Sequence, residues 1–302
     1  MTMRFDGRVA VVTGAGGGLG RQHALALAAR GAKVLVNDLG GTIDGSGGTP
    51  KAALAVVEEI RAGGGQAMAS GASVTDAAAV QSMVEEAMKA WGRVDILVNN
   101  AGILRDKSFA KMTLADFRLV VEVHLMGAVN CCKAVWDLMR AQDYGRIVMT
   151  TSSTGLYGNF GQSNYGAAKM ALVGLMQTLS IEGAKHNIRV NCLAPTAATR
   201  MTENLLPEAV LKLLQAQAVT PGLLALVAED APTRAILCAG AGAFERAHIT
   251  LTQGVFVGMP TDAAEQVAHQ FAMLSDRADE TVPESGNAQG TLEIAKATHA
   301  VG

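Results

Sequence analysis

The chain has 302 residues, 49% in the hydrophobic set and 17% charged, enough apolar material for one large core. A formal charge of -2, with no grouping of Lys and Arg, leaves no electrostatic footprint for nucleic acid. No apolar stretch reaches the ~18 residues that span a bilayer, so no membrane partner is expected. The start, Met-Thr-Met-Arg-Phe-Asp-Gly, leaves no room for a signal peptide, and the end, Ala-Val-Gly, is not the peroxisomal address, so the expected compartment is the cytoplasm. Cys131, Cys132, Cys192 and Cys238 form no Cys-x-x-Cys pair and stand beside no His at ligand spacing, so they read as reduced core residues and no metal is expected.

Apolar runs bounded by Gly, Asp or Asn predict strands at 9–13, 33–37, 66–70, 94–99, 145–151 and 188–193. Helix-length stretches lie between them at 19–30, 51–62, 77–91, 114–141 and 164–186. This alternation predicts an α/β fold: a Rossmann-like, doubly wound parallel sheet with helices on both faces, in a single domain. No repeat or interdomain linker interrupts it. The domain is expected over 1–258, followed by a partly ordered C-terminal extension over 259–302, where the apolar pattern thins and 276–290 turns polar with Pro and Gly.

A glycine-rich turn, Thr13-Gly14-Ala-Gly-Gly-Gly18-Leu19-Gly20, follows the first strand directly. In such a turn one glycine makes the sharp bend, the next lets backbone approach a pyrophosphate, and the last lets the helix pack on the sheet. The helix opening at Leu19 aims free N–H groups and a partial positive charge at phosphate. Asp38 closes the second strand, where a carboxylate accepts from both hydroxyls of an adenosine ribose and repels a 2′-phosphate. The plain alternative is a loop or capping Asp; its placement after the glycines favours NAD over NADP. Arg21, the nearby cation, lies inside the helix, where exposed Arg is ordinary.

Tyr165 and Lys169 stand at i and i+4, so on a helix they share one face about one turn apart. An ammonium there stabilises phenolate: moving a phenol of pKa near ~10 about three units toward neutral takes roughly 4 kcal/mol. Ser152 ends the strand before them, at the carboxyl edge where doubly wound sheets place their ligands, and a hydroxyl there would hold a substrate oxygen. Each residue also has a plain reading: a packed ring, a solvated helix surface, a strand-end cap. Local chemistry leaves Ser152 and Ser153 equally open.

Taken in order, Thr13-Gly14-x-x-x-Gly18-x-Gly20, Asn99-Asn100-Ala101-Gly102, Ser152, Tyr165-x-x-x-Lys169 and Pro195-x-x-x-Thr199 resemble the signature of the short-chain dehydrogenase/reductases, over about residues 5–258. The resemblance implies an NAD(P)-dependent oxidoreductase acting on CH–OH donors, and its spacing selects Ser152 over Ser153. It implies that Ser152 orients the substrate oxygen, that Tyr165 exchanges its proton, and that Lys169 binds the nicotinamide ribose and lowers the Tyr165 pKa. It implies that Gly14, Gly18, Leu19, Gly20, Asn100, Ala101, Gly102 and Pro195 line the cofactor, that Ser73 and Val74 flank adenine, and that Thr199 reaches the nicotinamide amide. Where the family's catalytic tetrad has a helix Asn, this chain has His124, so a place in a proton relay competes with a core histidine satisfied by one hydrogen bond.

Further stretches, Asn37-Asp38-Leu-Gly-Gly41, Asn99 through Asp106, Tyr157-Gly-Asn-Phe160-Gly-Gln162 and Thr199-Arg-Met201, resemble one branch of that family. It comprises the (3R)-hydroxyacyl-CoA dehydrogenase part of peroxisomal multifunctional β-oxidation enzymes and proteins called 17β-hydroxysteroid dehydrogenases, and it implies NAD. The hydratase and sterol-carrier parts of those enzymes have no counterpart here, so a stand-alone dehydrogenase is expected. A (3R)-hydroxyacyl-CoA is the first substrate expectation. The alternatives are a 17β-hydroxysteroid, a broad range of ketones, or, outside catalysis, a nucleotide-sensing scaffold. Arg105, Lys107 and Lys111 would offer CoA a basic rim, and Leu156, Phe160 and Met201 would give a steroid an apolar slot. The resemblance also implies a homodimer or homotetramer assembled on helices 114–141 and 164–186.

Overall fold

The run Val9-Ala-Val-Val-Thr13 forms strand β1 (Val9–Thr13), buried along its whole length, as a strand covered on both faces must be. The structure, a computed structural model, describes residues 3–42, 44–46, 48–198 and 207–301. After β1 come β2 (Lys33–Asn37), β3 (Gln66–Ser70), β4 (Ile96–Asn99), β5 (Gly145–Thr150), β6 (Ile188–Thr196), β7 (Ile236–Gly240) and β8 (Ala243–Ala247). They form one eight-stranded sheet in the order β3-β2-β1-β4-β5-β6-β7-β8. The pairings from β3 through β7 are all parallel. Strand order reverses between β1 and β4, and the crevice outside the carboxyl ends at that point is where such sheets bind ligands.

The helices are α1 (Gly18–Ala29), α2 (Lys51–Ala62), α3 (Ala77–Trp91), α4 (Leu114–Val121), α5 (Gly127–Ala141), α6 (Ser153–Tyr157), α7 (Ser163–Gly183), α8 (Glu208–Leu213), α9 (Thr220–Leu226), α10 (Ala263–His269), α11 (Phe271–Leu274) and α12 (Gly286–Val301). Alternate strand residues divide between the two faces. Ala10, Val12, Val34, Val36, Ile96 and Val98 join one core cluster with Leu27 of α1, Val56 and Ile60 of α2, and Leu223 of α9. The intervening Val11, Leu35 and Leu97 are equally buried, outside that cluster, as are Met83 of α3, Val135 of α5 and Leu172 of α7. The sequence-predicted doubly wound architecture is therefore the one observed.

The sheet has two strands more than the six predicted. β7 is a short Ile-Leu-Cys-Ala-Gly run and β8 an exposed Ala-Phe-Glu-Arg-Ala edge, and neither has a β-branched core pattern. They are joined by Ala241 and Gly242, both at positive φ (51° and 82°), the backbone of a tight antiparallel hairpin turn. The predicted helix 114–141 is interrupted by a π-helical turn, Glu122–Met126, between α4 and α5. The expectation that no stretch suits a membrane also needs correction: Leu114–Ala141 is long and apolar enough by length and composition. In the fold, however, its Val120, His124, Cys131, Val135 and Met139 are buried within the protein.

The chain divides into two compact units, Met1–Arg246 and Ala247–Gly302. The first holds the sheet and the core. The second carries α10, α11 and α12, with an antiparallel bridge between Leu251 and Thr281 and a hydrogen bond from Thr252 Oγ1 to the Leu274 carbonyl at 2.8 Å.

Candidate active site

The glycine turn leaves β1 at the switch point. Gly14 and Gly18 adopt positive φ, 62° and 52°, a region costly to any residue with a side chain. At Gly20 a Cβ would lie 2.4 Å from the Gly14 carbonyl oxygen and 2.6 Å from Asn100 Nδ2, so only glycine lets α1 start this close to the turn. Gly17 caps α1 with no side-chain hydrogen bond and no acidic residue occupies the first turn, so N–H groups at that end remain available to an anion. Asp38, at the end of β2, accepts from Gly16 N at 2.8 Å and Gly40 N at 2.7 Å, which fixes its carboxylate directly over the turn. A cradle of unsubstituted backbone with a carboxylate at one rim fits a dinucleotide's pyrophosphate and ribose.

The neighbouring strand end is stitched to this turn. Thr13 Oγ1 accepts from Asn100 N (3.0 Å) and Ala101 N (3.1 Å), and Asn100 Nδ2 donates to the Thr13 and Gly14 carbonyls at 3.0 Å each. Asn100 thus holds the turn's shape through its side chain, while Ala101 lines a small enclosed cavity with Thr13, Val74, Asn99, His124 and Lys169. Thr13 and Asn99 stand inside the glycine-turn and Asn-Asn-Ala-Gly motifs, and their role appears only when β1 and β4 become neighbours. Ser73 and Val74 follow β3. Ser73 shares a hydrogen bond with Thr75 at 2.8 Å, and the Val74 carbonyl accepts from Asn130 Nδ2 at 2.9 Å.

Helix α7 carries Tyr165 and Lys169 on one face, as their spacing predicts. Lys169 is buried, donates from Nζ to the Thr150 carbonyl at 2.5 Å, and places Nζ 5.4 Å from the Tyr165 ring centroid. Burial pulls its ammonium down to about 7. Burial also raises the Tyr165 phenol; the Ser152 hydroxyl acts in the opposite sense and the Asp106 carboxylate reinforces the rise. This direction is the reverse of the lowering that the resemblance implies: taking both groups out of water favours their neutral forms. Ser152 is buried at the end of β5 and caps α6 by accepting from Thr154 N at 3.2 Å, so the plain reading of a strand-end cap holds alongside its place beside Tyr165. Ser153 is exposed on the first turn of α6.

His124 sits in the π-helical turn, buried, with its ring edge-on to Tyr165 at a centroid distance of 5.2 Å. Gly102 makes room for it, since a Cβ there would lie 2.3 Å from His124 Cε1. Nε2 lies 3.0 Å from Ile103 N and 2.8 Å from the Ile103 carbonyl. One nitrogen serves only one of these at a time, so either tautomer is held. Nδ1 has no hydrogen-bond partner, nor have the buried Asn99 Oδ1 and Thr150 Oγ1 nearby. Burial, with the nearby Lys169 ammonium, lowers the His124 pKa to about 3, so the ring is neutral.

Of the remaining predicted residues, Pro195 lies near the end of β6, paired with Ala239. Leu156 is half-buried on α6 and Phe160 is 90% exposed on the loop after it. Thr199 and Met201 lie outside the described residues. Of the basic residues expected to offer CoA a rim, Arg105 and Lys107 both pair with Asp116, at 2.7 and 3.4 Å. Among the described residues no cluster of His, Cys, Asp and Glu is arranged to hold a metal ion.

Comparison with known proteins places this site in a family. A model described as short chain dehydrogenase matches residues 8–209. Peroxisomal multifunctional enzyme type 2 of Drosophila melanogaster is 56% identical over 219 residues, 72% of this chain and 36% of that protein. The full-length Drosophila structure superposes with a TM-score of 0.80 at 37% identity, covering 98% of this chain and 50% of that one. The chain therefore spans between about a third and a half of that relative's length. A putative short-chain type dehydrogenase/reductase of Mycobacterium tuberculosis is 46% identical over 270 residues, 89% of this chain and 94% of its own. A 7α-hydroxysteroid dehydrogenase solved with NADH and 7-oxo glycochenodeoxycholic acid superposes with a TM-score of 0.72 at 30% identity, covering 80% and 95%. The chain belongs to the short-chain dehydrogenase family.

Proposed function

We propose that this protein is an NAD-dependent dehydrogenase of secondary alcohols, with a (3R)-hydroxyacyl-CoA as substrate, acting through Ser152, Tyr165 and Lys169. The observation that carries the reading is the convergence, at one sheet edge, of the glycine cradle with Asp38 on its rim and the Ser152, Tyr165 and Lys169 side chains. NAD supplies the hydride acceptor when bound. The chain's own residues supply proton handling and alignment. Ser152 holds the substrate oxygen, and Tyr165 as phenolate takes the hydroxyl proton while the carbinol hydride departs, leaving a ketone. Lys169, when charged, steadies the phenolate, and its hydrogen bond to the Thr150 carbonyl fixes its reach. Neutral His124, unpartnered at Nδ1 and lining a cavity with Lys169, would relay a proton between Lys169 and the interior without carrying charge.

The Asp38 carboxylate favours NAD over NADP by repelling a 2′-phosphate. Identity to multifunctional enzyme type 2 supports the thioester substrate, and residues 1–258 are assigned to the dehydrogenase with 259–302 as an extension. The cytoplasm stays the proposed compartment, beside relatives whose names are peroxisomal. A homodimer or homotetramer is proposed on the helices within 114–141 and 164–186, of which α7 exposes Ala167, Met170, Gly174, Thr178 and Ile181 along one stripe. A steroid alcohol is the second reading, favoured by the likeness to the hydroxysteroid dehydrogenase. The deciding experiment follows NADH formation with a (3R)-hydroxyacyl-CoA against a 17β-hydroxysteroid at matched concentration. Faster turnover of the steroid overturns the thioester assignment, and no turnover of any secondary alcohol leaves a nucleotide-sensing scaffold.

A further inference from the structure

The loop after β2 closes on itself. A Cβ at Gly40 would lie 1.8 Å from the Thr49 carbonyl oxygen and one at Gly48 2.7 Å from that of Leu39, so the loop's two ends meet in a glycine-lined neck. That is the form of an Ω-loop. Its head is tied internally: Thr42 N donates to the Ser46 carbonyl at 2.8 Å, Gly45 N to the Thr42 carbonyl at 3.0 Å, and the Asp44 carboxylate accepts from Thr42 Oγ1 and from Ser46 Oγ at 2.8 Å.

This head touches the loop after β4. A Cβ at Gly45 would lie 3.3 Å from Ile103 Cδ1, and Arg105 Nε donates to the Asp44 carbonyl at 3.0 Å. Arg105 is itself held twice, by Asp116 Oδ1 on Nη1 at 2.7 Å and by Asn164 Nδ2 on its carbonyl at 3.0 Å. β2 and β4 flank β1 in the sheet, and all three are parallel. A bridge between the loops at the carboxyl ends of β2 and β4 therefore passes over the carboxyl end of β1, where the glycine turn lies.

We infer that Arg105 is a positioning residue that latches the β2 loop across the glycine turn and so sets how long a bound nicotinamide dinucleotide is retained. The inference rests on the proposed NAD reading of that turn. Arg105 suits the task because its fork donates in two directions at once, to a carbonyl and a carboxylate, which a lysine ammonium on a single stem does poorly.

The test is stopped-flow displacement of NADH, followed by its fluorescence, for the wild type, Arg105→Ala, Arg105→Lys and Asp116→Asn. It is paired with amide exchange at Gly45 and Ser46 in the cofactor-free proteins. Arg105→Ala is expected to speed NADH release about ten-fold, the scale of one charge-assisted hydrogen bond, and to speed exchange in the loop head. Asp116→Asn acts in the same direction, and Arg105→Lys falls between Ala and wild type. Unchanged release and exchange in Arg105→Ala overturns the latch. Full rescue by Lys, or a rise confined to the KM of an acyl-CoA, also overturns it and makes Arg105 a charge that meets substrate. If the wild type binds no NADH, the cofactor reading fails by itself, and amide exchange still decides whether Arg105 holds the loop.

Discussion

The proposed reaction uses the charge of Lys169, which burial opposes, so replacing it by Met is expected to abolish turnover and raise stability at neutral pH. The folded-state pKa falls from 10.5 to about 7. The unfolded chain therefore binds more protons across that window, and wild-type stability rises with pH from about 7 to 10.5. At pH 7, where half of the folded molecules have already released this proton, the penalty on the wild type amounts to about 4 kcal/mol, at roughly 1.4 kcal/mol per pKa unit. Against this, Met leaves the Thr150 carbonyl without its donor, which costs about 1–3 kcal/mol. The net gain, about 1 kcal/mol or more, corresponds to a Tm rise of about 2 °C or more in a domain of this size. Calorimetry of both proteins at pH 7 and pH 10 checks it, and near pH 10, where the penalty has almost vanished, the order of the two melting points is expected to reverse. A Lys169→Met protein that melts below wild type at pH 7, or by the same margin at both pH values, would refute the argument that desolvation dominates at this site.

Tyr165→Phe is expected to lower kcat by about 10²–10⁴-fold while leaving NADH binding unchanged, read by turnover and fluorescence titration. Because burial raises the Tyr165 pKa, alcohol oxidation, which needs the phenolate, should accelerate as pH rises, whereas ketone reduction should not. Gly20→Ala drives a methyl to 2.4 Å from the Gly14 carbonyl; overpacking of this kind costs about 1–3 kcal/mol in a denaturant titration, with weaker NAD binding as the turn gives way. Asp38→Ala should weaken NAD by about ten-fold or more and NADP far less, measured as separate Kd values; equal losses would remove the ribose argument. His23 is buried with Nδ1 3.0 Å from Thr220 Oγ1 and a pKa lowered by burial from 6.5 to about 3. The unfolded chain protonates this group first, so stability falls as pH drops from 6.5 toward 3, and His23→Leu should flatten that acid limb.

Sequence by itself determined the doubly wound sheet, because β1, β2 and β4 are buried on both faces and so had to read as continuous apolar runs punctuated by glycine and Asp. It also determined the shared face of Tyr165 and Lys169, since helical periodicity sets which side chains meet within one element. It did not reveal β7 and β8, whose short or exposed runs acquire strand geometry only from pairing at the sheet's edge. Only the tertiary structure decided that Thr13 and Asn100 lace two strand ends together, that His124 is buried with an unpartnered nitrogen and lines a cavity with Lys169, and that Arg105 reaches Asp44 rather than standing free as surface charge. The physical reason is range. Periodicity and turn chemistry act over a few residues and are written locally, whereas hydrogen bonds and desolvation depend on which distant segments share a space, and that exists only once the sheet is assembled.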